Sequence, residues 1–215
     1  MSKKFIYLVR HGESEGNIGL YRQGPTSPLT ERGIKQAEIV ANRCVNLPID
    51  LCITSTMMRA QQTADIISNR IGKTFEKSDL FIERLRPSVQ FGMAVDSSES
   101  KEIDKILLQN FIKPNARIAD EEIFEDLNSR AEKALDSLKN KKENHILVVT
   151  HGLFLRVIVG KVIFGNDLTG SICDDMFRAL RTENTGISVI IFDEEKQEWL
   201  LKTWNDHAHL AEPNQ

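Results

Sequence analysis

Two short apolar runs, far apart in the chain, constrain its fold more than any other feature. Phe5-Ile6-Tyr7-Leu8-Val9 leads into Arg10-His11-Gly12-Glu13, and Ile146-Leu147-Val148-Val149-Thr150 leads into His151-Gly152. A short apolar run without polar alternation fits a strand buried on both faces, which requires helices on each side of a sheet. Each run ends in His-Gly, and open α/β sheets bind ligands at the rim formed by the carboxyl ends of their strands. The two histidines are therefore placed to meet at one rim, where Arg10 adds a positive charge that favours an anion.

The rest of the chain alternates in the same sense. Residues 11–29 carry Gly12, Gly16, Gly19, Gly24, Pro25 and Pro28 and read as a loop. Thr30-Glu31 reads as a helix N-cap with an acid in the first turn, opening a helix to about Val45 with Ile34, Ala37, Ala41, Cys44 and Val45 on one face. Leu51–Thr54 is a second strand, followed by a helix that runs to Ile71 before Gly72. A shorter strand and loop occupy 75–85. Residues 86–120 are rich in Ser, Pro and charge, with a modest helix around Ile103, Ile106 and Leu107, and read as a lid-like insertion over the rim. A long amphipathic helix spans 121–140, and an apolar helix follows His151 from Leu153 to Phe164. A polar connection then runs to about Glu183. Strands at 186–192 and 199–204 flank a hairpin turn. The expected fold is one α/β domain over 1–215, a three-layer α/β/α sandwich with a mainly parallel central sheet and the small lid-like insertion.

Composition excludes several function classes. The net charge of -3 is spread along the chain, with no basic nucleic-acid footprint. No apolar stretch approaches the ~20 residues of a membrane span. Cys44, Cys52 and Cys173 are odd in number and widely spaced, which argues against disulfides and zinc and for a reduced, cytoplasmic compartment. A Walker GxxxxGK, a GxGxxG and an HExxH are all missing. The oligomeric state is left open, a homodimer included.

The chemistry points to phosphoryl transfer. Arg59 falls on the first turn of the helix after the second strand, within reach of the rim that holds Arg10, His11 and His151. Two guanidiniums and two imidazoles around one point suit a tetrahedral oxyanion, because Arg binds phosphate oxygens through its planar fork. The amides opening the helices after His11 and His151 are expected to add donors. One imidazole must be neutral to attack phosphorus, and adjacent arginines lower its pKa. With cationic side chains in place, neither a metal nor another cofactor is demanded.

Arg10-His11-Gly12-Glu13 with Asn17, the run Gly24…Pro28-Leu29-Thr30…Gly33…Gln36-Ala37, Ser55…Arg59-Ala60…Thr63-Ala64, and Thr150-His151-Gly152 together resemble the histidine phosphatase superfamily, the phosphoglycerate mutase-like group. The resemblance implies His11 as a nucleophile that becomes phosphohistidine, with Arg10, Arg59 and His151 as the phosphate pocket. It implies Asn17, Gln23 and Gly24 as the pocket's outer wall. The family's acid lies in a Leu-x-Glu segment after the third strand. Leu80-Phe81-Ile82-Glu83 is the nearest match, making Glu83 the candidate proton donor. The expected activity is metal-independent hydrolysis of a small phosphomonoester. The first alternative is phosphoglycerate mutase-type transfer. Such mutases carry a Trp just before the equivalent of Asn17, where this chain has Gly16. The second alternative is a phosphoryl-binding protein with weak turnover. Arg84 and Arg86 have two readings, exposed or lining the mouth. His207-x-His209 reads as part of a solvated tail.

Overall fold

The computed structural model describes residues 3–22, 24–113 and 116–211. Its six-stranded sheet is built from β1 (Lys3–Arg10), β2 (Leu51–Thr54), β3 (Glu76–Lys77), β4 (His145–Thr150), β5 (Ile187–Asp193) and β6 (Glu198–Asp206). The strand order is β3-β2-β4-β1-β5-β6. The first four pair in parallel, and β5 and β6 add an antiparallel edge.

Both faces of the central strands are covered, which explains their unbroken apolar runs. Ile6, Leu8, Ile146 and Val148 face a core with helices α5 (Phe124–Lys139), α6 (Gly152–Phe164) and α7 (Gly170–Ala179). Tyr7, Val9, Leu147 and Val149 face the opposite core, closed by α2 (Glu31–Cys44) and α3 (Met58–Ile71). The expected three layers are present. Among the described residues, no helix is long and apolar enough to cross a membrane.

Four expectations are revised. The residues read as a loop include a four-residue helix, α1 (Glu15–Ile18), and the polar connection before Glu183 contains all of α7. The buried face of α2 is Gly33, Gln36, Ala37, Val40, Ala41 and Cys44, whereas Ile34 and Val45 are exposed. The helix turns this way because Gly33 must lie against the backbone of Glu13, and Gln36 Oε1 accepts the Glu13 N–H at 2.9 Å. The lid-like segment is also better anchored than its composition suggests. Its helix α4 (Ser98–Ile112) buries Leu107 and Phe111, and an isolated bridge joins Tyr21 to Ala94.

Arg84 and Arg86 are both partly exposed and ion-paired. The Arg84 guanidinium lies over the Phe111 ring at 4.8 Å and pairs with buried Glu121 at 3.5 Å. Arg86 and Arg22 both pair with Asp104 of α4. His207 is exposed, but His209 is half-buried. His209 Nδ1 accepts from Arg43 at 3.2 Å, so its Nε2–H donates to Thr185 Oγ1 at 3.2 Å.

Candidate active site

β1 and β4 are adjacent and parallel, with Arg10 opposite Thr150, so the residues that follow them share one rim. The His11 N–H donates to Thr150 O at 2.9 Å. The two imidazoles stand 4.9 Å apart between centroids and are tilted by 58°. Both are buried, His11 at 2% exposure and His151 at 0%. A pair of enclosed histidines at a sheet rim is poor packing and good chemistry.

Local bonds set the state of each ring. His11 Nδ1–H donates to its neighbour's carbonyl, Gly12 O, at 2.6 Å. That leaves Nε2 as the lone-pair nitrogen, and Arg59 Nε donates to it at 3.1 Å. Burial, then the charges of Arg59 and Arg10, hold the His11 pKa well below 6.5, against a small opposing effect of the Gly12 bond. His151 Nε2 lies 2.8 Å from Ser55 Oγ, which also accepts the Met57 N–H. Ser55 can thus give its own hydrogen to Nε2, leaving the ring's hydrogen on Nδ1. Among the described residues, His151 Nδ1 and Arg10 Nε are buried donors without partners. Orphaned buried donors of this kind are uncommon in a settled fold and fit a site that receives an anion.

One consequence is measurable. The His11 ring is expected to stay neutral, as the Nδ1–H tautomer, from about pH 7.5 down to about pH 5.5, because its folded pKa lies well below the ordinary 6.5. A histidine-labelled nitrogen NMR titration reads this directly. An imidazolium signal growing in with a midpoint near 6.5 would contradict it.

A strand-entry turn that sequence reasoning missed holds the other side of the rim. Thr182 O accepts from Arg10, the Thr185 N–H donates to Arg10 O at 3.0 Å, and Asn184 Nδ2 donates to His11 O at 3.0 Å. Buried Thr185 adopts φ +60°, a rare conformation for a β-branched residue. The Asn184-Thr185-Gly186 triplet does carry a turn signal, which the apolar strand immediately after it obscures.

Glu83 reaches the site in a way the sequence does not suggest. Its Oε2 accepts the Leu153 N–H at 3.1 Å, and its Oε1 accepts those of Phe154 and Arg84, both at 3.0 Å. Two of the helix-opening amides after His151, those of Leu153 and Phe154, thus hold Glu83. Those of α1 are also spent, with Glu15 N–H on Pro28 O and Gly16 N–H on Ser27 Oγ. Burial is the chief influence lowering the Arg10 and Arg59 pKa values, and the Glu83 carboxylate is the leading charge opposing it in both.

The expected outer wall is less uniform. Asn17 is exposed, and its Oδ1 accepts from Ser14 N and Oγ at 3.0 and 3.1 Å, which closes the cap of α1. Asn184 Nδ2 lies 3.5 Å from the same oxygen, linking Asn17 to the His11 carbonyl. Gly24 sits under the Phe91 ring, beside Pro25, whose carbonyl accepts the Met58 N–H at 3.1 Å. Gln23 lies outside the described residues.

Comparison with known proteins gives a consistent picture. Residues 6–207 match the sequence model of the histidine phosphatase superfamily (branch 1). A Yersinia pestis protein named "Probable phosphoglycerate mutase GpmB" is 33% identical, the match covering 97% of this chain and 95% of that protein. Among solved structures, Bacillus stearothermophilus YhfR superposes with a TM-score of 0.79 at 24% identity, covering 96% of this chain and 99% of that one. A phosphoserine phosphatase from Entamoeba histolytica gives 0.75 at 23% identity, with 98% and 100% covered. At these identities the two structures establish the likeness of fold.

Proposed function

Because the chain belongs to the histidine phosphatase superfamily, we propose that it hydrolyses small phosphomonoesters, with His11 as the nucleophile. The observation that carries this reading is the buried His11 ring, with Nδ1–H tied to Gly12 O and Nε2 directed at Arg59. An incoming phosphoryl oxygen takes over the Arg59 Nε–H and releases the Nε2 lone pair. The N–P bond forms as the ester P–O bond breaks, and the leaving oxygen takes a proton from Glu83. That carboxyl enters this step as the neutral acid, because the arriving phosphate disfavours a second anion beside it. Water then attacks phosphorus, gives its proton to Glu83, and the N–P bond breaks to release phosphate. Arg10, Arg59 and His151 hold the three oxygens in transit, where fixed cations stabilise the spreading negative charge. Asn17 and Gly24 form the outer wall, and the described residues of 86–113 and 116–120 act as a lid on a single domain. No step calls for a metal. The free, buried Cys44, Cys52 and Cys173 support action in a reducing, cytoplasmic compartment.

Hydrolysis is preferred to transfer because the cations beside Glu83 are already engaged. Arg84 is held by Glu121 and Phe111, and Arg86 by Asp104. An engaged guanidinium is a weaker anchor for the carboxylate of a phosphoglycerate than a free one. The name of the Yersinia relative supports the mutase alternative. Product analysis separates the two. With EDTA present, a panel of phosphomonoesters including p-nitrophenyl phosphate is expected to yield inorganic phosphate. Transfer to phosphoglycerate with little free phosphate would favour the mutase. Phosphate binding with no turnover on any substrate would favour a regulatory binding role.

A further inference from the structure

We propose that Arg130 and Glu122 are positioning residues for the Glu83 carboxyl, governing protonation of the leaving group without touching the substrate. The inference rests on Glu83 being the proton donor. Arg130 projects from α5, and Glu122 lies just before that helix. Their side chains are 12% and 11% exposed and joined by two bonds of 2.7 Å, Nε to Oε1 and Nη2 to Oε2. A fork-to-fork pair this enclosed fixes orientation as well as charge.

The remaining contacts converge on the residues that flank Glu83. Arg130 Nη1 donates to Ile82 O at 2.7 Å and to Leu80 O at 3.3 Å. Glu122 grips the chain beyond the acid, with its N–H on Leu85 O at 2.9 Å and its Oε2 accepting the Leu85 N–H at 3.2 Å. The Arg130 guanidinium also lies 3.8 Å over the Phe154 ring, and the Phe154 N–H is one of the donors to Glu83 Oε1. One ion pair thus fastens the loop before Glu83, the loop after it, and the helix turn that receives its carboxylate. Small displacements of a proton donor are costly, since a shift of ~1 Å at a reacting group can lose about 100-fold in rate.

The leaving group supplies the test. A general acid matters most when the departing oxygen is a poor leaving group. The readout is therefore the ratio of kcat/KM for an alkyl phosphate to kcat/KM for p-nitrophenyl phosphate. Arg130→Lys keeps the charge and loses the fork, whereas Glu122→Gln keeps the shape and loses the charge. Each is expected to lower the ratio about tenfold. Damage that is merely structural lowers both substrates alike and leaves the ratio unchanged, which would overturn the proposal. Should Arg130→Lys not fold, judged by thermal melting, Glu122→Gln decides. Glu83→Gln is run alongside and is expected to lower the ratio by about 100-fold. A flat ratio in Glu83→Gln means that the proton-donor assignment fails and the proposal falls with it. A collapsed ratio in Glu83→Gln with flat ratios in both clamp variants rejects the clamp alone.

Discussion

His11→Ala is expected to lower kcat/KM on p-nitrophenyl phosphate by about 10⁴-fold or more, the scale on which covalent catalysis collapses when its nucleophile is lost. Trapping with labelled substrate should give an acid-labile phosphoprotein in the native chain and none in the variant. Phosphate binding, followed by calorimetry, should survive, because Arg10, Arg59 and His151 remain. The geometry favours His11 over His151 as the attacking ring. His11 holds its lone pair against an arginine that substrate can recruit, whereas His151 Nε2 is engaged by Ser55 at 2.8 Å. Peptide mapping of the phosphoprotein distinguishes the two rings independently of kinetics. Phosphate found on His151, or undiminished turnover in His11→Ala, would defeat the proposed mechanism.

Gly33→Ala is expected to cost about 3 kcal/mol or more of stability, the upper range for forced overpacking. Helix propensity alone predicts the opposite sign, a gain of about 1 kcal/mol for Gly to Ala within a helix. Contact decides the matter. A Cβ at Gly33 would lie 1.9 Å from Glu13 O, and a Cβ at Gly12 would lie 2.4 Å from Gly33 O. Both obstacles are backbone, so relief requires moving the first turn of α2 or the loop that carries His11. For a chain of this size the loss corresponds to a fall in Tm of roughly 6–12 °C, measurable by calorimetry. Catalysis should fall as well, since Gly12 O orients the His11 ring. A variant that melts at or above the native temperature would show that the two backbones are not held in this contact.

The layers and the central parallel strands are legible in the sequence because burial on both faces leaves an unbroken apolar signature, as in Phe5–Val9 and Ile146–Val149. Helix α3 is legible from its end at Gly72, which takes the left-handed conformation at φ +68°. Helix α7 is not. Its exposed Arg178 pairs with both Asp174 and Asp175, while only Gly170, Cys173 and Met176 are buried, too few to stand out as a periodic stripe. The orientation of α2 escapes a hydrophobic reading for a related reason. A glycine carries no hydrophobic signal, yet the close approach at Gly33 decides which face turns inward. His209 reads as tail because its partners, Arg43 and Thr185, lie far away in sequence.

By itself, the sequence determined which side chains could carry phosphoryl chemistry and on which strand ends they would sit. Residue type and strand termination are local properties, and Arg10, His11, Arg59 and His151 announce both. Only the tertiary structure decided how those groups are held and what is left for a substrate. It assigned the Leu153 and Phe154 amides of α6 to Glu83, gave the strand-entry turn at 182–186 to the carbonyls of Arg10 and His11, and tied Arg84 and Arg86 to acids of the 86–122 region. Each of these outcomes is a competition among donors and acceptors from distant segments. Such a competition is settled by distance and burial, which a linear pattern does not contain.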